Sequence, residues 1–299
     1  MTSAPWLDPA AESRPMRIAV FASGSGGNLA AAMILARYRP DLGRVVVVVS
    51  DRPGCRAVSV AACAGIPTIS RDCRAECGRA SECRNKEETL AYADRVERFH
   101  DRIDSELARF ELVEGPIDLV VLSYGRLIRG RLLDRFTGRM INQHPGDLTT
   151  LDETGNRILV GNDPVLAALR LGAVQVRTST FFVDGGEDTG PIISQGPALQ
   201  ATGIPPRRKS ADCLERMMKR GSDWPSLVCA LILIAEGAVS VDPVERMEDG
   251  SHRILVRGMP MELGGLKLME GLDRPEKGVN QICDTVRSAI ECCSSEWLR

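Results

Sequence analysis

With 299 residues, 43% of them hydrophobic and 26% charged, the chain can hold one large or two modest cored domains of ordinary globular composition. A formal net charge of −2 and 4% aromatic residues remove the electrostatic and base-stacking grounds for a nucleic-acid partner. Met1 to Pro15 lacks the basic start and apolar run of a signal peptide, and the longest apolar stretch, Leu227 to Ala235, is too short for a bilayer; the sequence reads as cytoplasmic, with no membrane partner.

Arg17 to Ser23 is a short apolar run that ends in a glycine-rich turn, Gly24-Ser-Gly-Gly-Asn28, followed by a helix-like stretch from Leu29 to Tyr38. Arg44 to Ser50 is β-branched and apolar on both faces, as a central parallel strand covered by helices should be. Gly54 to Ala64 reads as a helix, with Gly65-Ile-Pro67 as the turn after it. In Asn85 to Phe110, Leu90, Val96, Phe99, Ile103, Leu107 and Phe110 recur at mostly helical spacing and place one apolar stripe on a long helix. Ile117 to Ser123 is the next strand, Leu127 to Phe136 a short helix and Arg139 to Gln143 another strand.

Asp163 to Gly172 reads as a helix, and Val174 to Asp184 with Pro191 to Leu199 as a strand pair closing the sheet. Helices Ser210 to Arg220 and Trp224 to Gly237 follow, then a hairpin signal at Glu248-Asp-Gly-Ser251. The alternation of strand and helix predicts an α/β fold with a doubly wound, mostly parallel sheet. Its divisions are a flexible N-terminus (1–15), an α/β domain (16–240) and a small C-terminal subdomain (241–299). Ligands of such sheets bind beyond the carboxyl ends of the strands.

Three segments carry chemistry. In the turn Ser23 to Asn28, glycine lets the backbone approach a ligand, and the helix start behind it turns free N–H groups toward an anion. The dinucleotide pattern G-x-G-x-x-G fails, because Leu29 holds its third position; Asp51, ending the second strand, leaves a nucleotide reading open. In Asn142-Gln-His-Pro145, residues 142 and 144 face one side of a strand that Pro145 stops. An imidazole with a pKa near about 6.5 can shuttle protons, and an amide donor to a developing oxyanion contributes about 3–4 kcal/mol in comparable sites. His100 and His252 lack such neighbours, and His100 is expected at the surface or rim. Asp188 lies in Asp184-Gly-Gly-Glu-Asp-Thr-Gly-Pro191, a loop too glycine-rich for helix or strand; paired with His144 it can set imidazole charge and relay protons.

These segments, with Val49-Ser-Asp51, Ala64-Gly-Ile-Pro67 and Val121-Leu-Ser-Tyr-Gly125, resemble the formyltransferase family that uses 10-formyltetrahydrofolate, and most of all its members of purine synthesis, over residues 16 to 240. The resemblance implies a Rossmann-like formyltransferase fold and a catalytic trio of Asn142, His144 and Asp188. It implies a substrate-phosphate loop at Gly26, Gly27 and Asn28. It also implies a pterin pocket lined by Arg126, Leu127 and Ile128 and closed by the loop from Asp184. The partners it implies are folate and a small amine; a homodimer is left open.

Departures bear on the acceptor. After His-Pro the family usually runs Ser-Leu-Leu-Pro, where this chain has Gly146-Asp-Leu-Thr and a longer insertion to Asn162. Phe181 falls where a His is common, and a ribose-contacting Glu of the purine enzymes maps near Lys219 or Arg220. The expected acceptor is therefore a phosphorylated or acidic amine other than glycinamide ribotide. The same trio would serve a formyltetrahydrofolate hydrolase, with water replacing the amine, and a catalytically silent folate- or nucleotide-sensing module is the third reading.

Ten cysteines without an export signal read as thiols or metal ligands rather than disulfides. Cys73, Cys77 and Cys83 are candidates for part of a zinc site, although their spacing matches no common motif and unremarkable surface thiols are the favoured reading.

Overall fold

The computed structural model describes residues 6–9, 13–268 and 284–291. In chain order the elements begin with β1 (Met16–Ala22), α1 (Gly27–Tyr38), β2 (Gly43–Ser50), α2 (Arg56–Cys63), β3 (Thr68–Ser70), α3 (Cys73–Cys77), α4 (Lys86–Glu114), β4 (Leu119–Ser123), α5 (Arg131–Phe136) and β5 (Met140–His144). They continue with α6 (Pro164–Arg170), β6 (Gln175–Val176), β7 (Ser179–Phe182), β8 (Ile192–Gln195), β9 (Leu199–Gln200), α7 (Arg208–Met218), α8 (Trp224–Ala235), β10 (Val239–Arg246), β11 (His252–Val256), β12 (Met259–Pro260) and β13 (Leu266–Lys267). The fold is α/β with a mostly parallel sheet, and no described helix is long and apolar enough to cross a membrane. The chain forms two units, one made of Arg17–Leu29 and Val45–Met140, the other of the remainder.

In the first unit the strands run in the order β4-β1-β2-β3, with β1 parallel to β4 from Ile18↔Leu119 to Ala22↔Ser123 and β2 parallel to β3. Every residue of β1 is buried, as the absence of polar alternation predicts for a strand covered on both faces. Asn85 caps α4 by accepting from the N–H of Glu88, whose carboxylate accepts from the N–H of Arg84. Val96, Phe99, Ile103 and Leu107 form the buried stripe of α4, but Leu90 is 58% exposed because Lys86 to Ala91 all face solvent.

Two expectations change here. His100 is fully buried rather than at the rim: its Nδ1 accepts the N–H of Arg129 at 3.2 Å, and its ring stands between those of Phe99 and Tyr124. The helix expected from Leu127 begins only at Arg131. His100 and Asp101 take the N–H groups of Arg129 and Arg131, so this segment is pinned to α4 before it can coil.

In the second unit β5 and β7 are antiparallel, with Asn142↔Phe181 and His144↔Ser179 in register; β8 is antiparallel to β7 and β13 parallel to β8. The single expected strand pair is divided in two, β7–β8 and the separate β6–β9. At the break the Thr178 N–H donates to Ser222 Oγ and its hydroxyl to Asp223, so only its carbonyl, which accepts the N–H of Gly196, still bonds across to the neighbouring strand. The two expected helices near Gly221 run on through a π turn, Lys219–Asp223; Pro225 in the first turn of α8 has no N–H to give to the preceding turn. The hairpin signal at Glu248 to Ser251 joins β10 to β11, which with β12 make a three-stranded sheet. Cys283, Cys292 and Cys293 lie outside the described residues, as do parts of 1–15 and of 241–299.

Candidate active site

His144 ends β5 and is 6% exposed. Its Nδ1 lies 3.4 Å from Oδ2 of Asp188, and its Nε2 lies 2.6 Å from the carbonyl oxygen of Leu159. Both ring nitrogens therefore face oxygen; a carbonyl can only accept, so Nε2 carries a proton. Asp188 holds its place with a left-handed backbone (φ 55°), which a short polar side chain tolerates, and with the N–H of Gly161 donating to Oδ2 at 3.0 Å.

The Asp188 loop is fastened by a residue that sequence reasoning missed. Arg157 donates through its two terminal nitrogens to the carbonyls of Asp188 (2.5 Å) and Gly190 (2.9 Å). Its Nε and Nη2 also reach Asp249 Oδ2, at 2.7 and 2.5 Å, and the two side chains are 5% and 1% exposed. Asp249 sits in the β10–β11 turn, where sequence alone shows a turn residue, and Arg157 lies in the insertion that departs from the family pattern. No spacing rule links residues 92 positions apart.

Asn142 stands two residues before His144 on the same strand. Its Oδ1 accepts the N–H of Gln143, and among the described residues its amide nitrogen meets no acceptor. Gly146 explains one departure. A Cβ there would lie 2.8 Å from the Leu159 carbonyl and 2.9 Å from Cδ2 and Nε2 of His144, so the ring occupies space that a serine would take. Phe181, opposite Asn142, packs with Leu148, Ile192 and Val160 in an apolar cluster. A cavity of about 180 Å³ adjoins the Gly146 and Leu159 wall of the imidazole and is lined further by Pro145, Val165 and Ala168.

Other predicted residues separate into used and open groups. Gly26 has φ +82°, and a Cβ on it would press against the Cα of Ala57 at 3.2 Å. Gly27 begins α1, while the Asn28 side chain is committed to the Leu122 carbonyl at 2.8 Å, leaving the backbone of this turn to meet a ligand. Arg126 donates to the buried carboxylate of Asp51 at 2.9 Å and to the Tyr92 hydroxyl at 2.7 Å. Leu127 is exposed and Ile128 buried. Asp184 accepts from the N–H of Gly186 and the hydroxyl of Thr189, and so shapes its own loop.

The cysteine triplet is split. Cys73 and Cys77 are buried in α3, and burial pushes the Cys73 thiol up to about 12 despite the charge of Arg126. Cys83 turns to the carbonyls of Arg79 and Glu88 instead. No group of three His, Cys, Asp or Glu side chains suited to a metal occurs among the described residues. Lys219 is paired with the buried Asp223 at 2.7 Å, and Arg220 lies over the Trp224 ring.

The formyl transferase family matches residues 16–223. The chain is 30% identical over 185 residues to a phosphoribosylglycinamide formyltransferase of Mycobacterium tuberculosis, covering 62% of this chain and 72% of the relative. It is 29% identical over 180 residues to that of Bacillus subtilis, 60% and 77% of the two chains. Among solved structures, glycinamide ribonucleotide transformylase 1 of Symbiobacterium toebii superposes with a TM-score of 0.59 at 29% identity, over 81% of this chain and 94% of that one. With the sheet, the strand-end histidine and the aspartate loop in place, this chain belongs to the formyl transferase family.

Proposed function

We propose that the chain transfers a formyl group from 10-formyltetrahydrofolate to a substrate amine, with Asn142, His144 and Asp188 as the reacting residues. The observation that carries this reading is the 3.4 Å pairing of His144 with Asp188 at the end of a strand in a member of this family. The amine nitrogen attacks the formyl carbon, and the oxyanion that forms takes hydrogen bonds from the Asn142 amide and from Nε2–H of His144. In the structure that Nε2–H rests on the Leu159 carbonyl, a placeholder for the substrate oxygen. As the bond from carbon to the folate nitrogen breaks, the amine proton passes to that nitrogen, with Asp188 assisting the transfer.

The backbone N–H groups of Gly26, Gly27 and Asn28 are assigned to a substrate phosphate, and Arg126, Leu127, Ile128 and Asp184 to the folate. Within that assignment Leu127 offers contact surface, whereas Arg126 and Asp184 act by fixing the segments that carry them. Lys219 and Arg220 support an acceptor other than glycinamide ribotide, an amine that is phosphorylated or acidic.

The test is incubation of the purified chain with 10-formyltetrahydrofolate, with and without candidate amines, following tetrahydrofolate release. Amine-dependent release that disappears in His144→Ala, while folate binding persists, is the expected result. Release without any amine would mean hydrolysis, and unchanged turnover in His144→Ala would remove the catalytic reading. Glycinamide ribotide accepted at an ordinary enzyme's rate would overturn the acceptor assignment alone.

A further inference from the structure

The unit built on β1 to β4 holds a cleft of about 590 Å³, lined at the strand ends by Ser23, Asp51 and Asp72 and by four arginines, Arg52, Arg74, Arg79 and Arg126. Four guanidinium groups against two carboxylates leave a net charge of +2. The carboxylates are also occupied. Asp51 is buried against Arg126 Nε, and Asp72 caps α3 by accepting the N–H of Ala75. Arg79 has a loose exposed contact with Glu82 at 3.8 Å. Arg52 and Arg74 are exposed, and among the described residues neither guanidinium meets an acceptor.

We propose that this cleft binds a diphosphate-class anion. Two guanidiniums without a bonded carboxylate line a cleft of net charge +2, so the field there favours an anion. Guanidinium forks match phosphate oxygens two at a time, so adjacent phosphates can engage Arg52 and Arg74 together. Arg126, anchored by Asp51 and Tyr92, is a fixed cation on the wall of the cleft rather than a mobile one. The volume falls within the range of small-ligand sites and is several times what a single phosphate fills. The anion is held here by Arg52 and Arg74, which formyl transfer does not use; Arg126, assigned to the folate, is shared with that reading.

The test is calorimetric titration of the full chain with inorganic pyrophosphate, inorganic phosphate and citrate at one fixed ionic strength. Pyrophosphate is expected to bind at least about tenfold more tightly than either competitor. The single variants Arg52→Ala and Arg74→Ala are each expected to weaken pyrophosphate at least about tenfold without lowering Tm, since neither side chain holds the fold together. Equal affinity for phosphate and pyrophosphate would overturn the proposal. So would citrate binding as tightly as pyrophosphate, or pyrophosphate binding that both variants retain. Formyl transfer measured on the same preparations reports separately on the reaction, so failure of one reading leaves the other standing.

Discussion

Arg157 and Asp249 form a buried ion pair that ties the loop carrying Asp188 to the turn between β10 and β11. The C-terminal hairpin thereby contributes to the candidate active site without placing a side chain on the substrate. The arginine spends its fork on two loop carbonyls and its remaining capacity on one carboxylate. A lysine, with a single point charge, could not make all of these bonds.

Removing one partner of this pair is therefore expected to cost more than the pair itself is worth. Asp249→Asn leaves a buried guanidinium without its counter-charge, a loss on the order of 3–5 kcal/mol, and a Tm fall on the order of 10 °C in a chain of this size. The double variant Arg157→Met, Asp249→Leu should recover much of the stability, since apolar replacement of a buried pair is often neutral. It should not recover turnover, because the Asp188 and Gly190 carbonyls lose their donor. Thermal unfolding beside tetrahydrofolate release checks both halves; a double variant with full activity would mean that the loop needs no clamp.

Gly146→Ala tests how closely the imidazole is seated. The new Cβ would meet the Leu159 carbonyl and the His144 ring inside van der Waals contact, so one of them must move. Overpacking of this kind costs about 1–3 kcal/mol of stability. The larger expected effect is on kcat, about 100-fold, because displacement of a reacting group by an ångström has consequences of that size. A variant with normal kcat would show that the ring's position against Leu159 does not matter to the reaction.

The parts of this molecule that were legible in the sequence are those set by local chemistry. β1 and β2 announced themselves as unbroken apolar runs, the β10–β11 hairpin by Asp-Gly, and His144 by its place between a strand and Pro145. What was not legible depends on partners distant in sequence. His100 looked like a rim histidine because nothing near it in the chain reveals that the Arg129 N–H caps its ring. Thr178 looked like ordinary strand until its N–H and hydroxyl are seen to go to Ser222 and Asp223, more than forty residues away. The same limit hid Arg157 and Asp249, each unremarkable until the hairpin brings them together.

His100 carries a pH prediction. Burial, helped by the charges of Arg126 and Arg129, lowers its pKa from 6.5 to about 4, so the ring is neutral in the folded protein. Between these values the unfolded chain binds the extra proton, so stability is fully present above pH 6.5 and is lost as pH falls toward 4. The loss is on the order of 3 kcal/mol at one pKa unit per roughly 1.4 kcal/mol. His100→Gln keeps an acceptor for the Arg129 N–H but cannot titrate. Urea unfolding across this range should show a flatter profile for the variant, and an unchanged slope would place the acid sensitivity elsewhere.

Asn142 and Asp188 should be separable by kinetics, because their assigned tasks differ. Asn142→Ala removes one donor to the oxyanion and nothing that titrates; kcat is expected to fall about 100- to 1000-fold with folate affinity and the shape of the pH profile unchanged. Asp188→Asn preserves size and can still accept from Gly161, but it removes the negative charge 3.4 Å from His144 Nδ1. Here the loss should reach about 10⁴-fold, as when a histidine loses the carboxylate that orients it. If Asp188→Asn keeps kcat within about tenfold of the unaltered chain, the aspartate only shapes its loop and the proton relay passes through some other group.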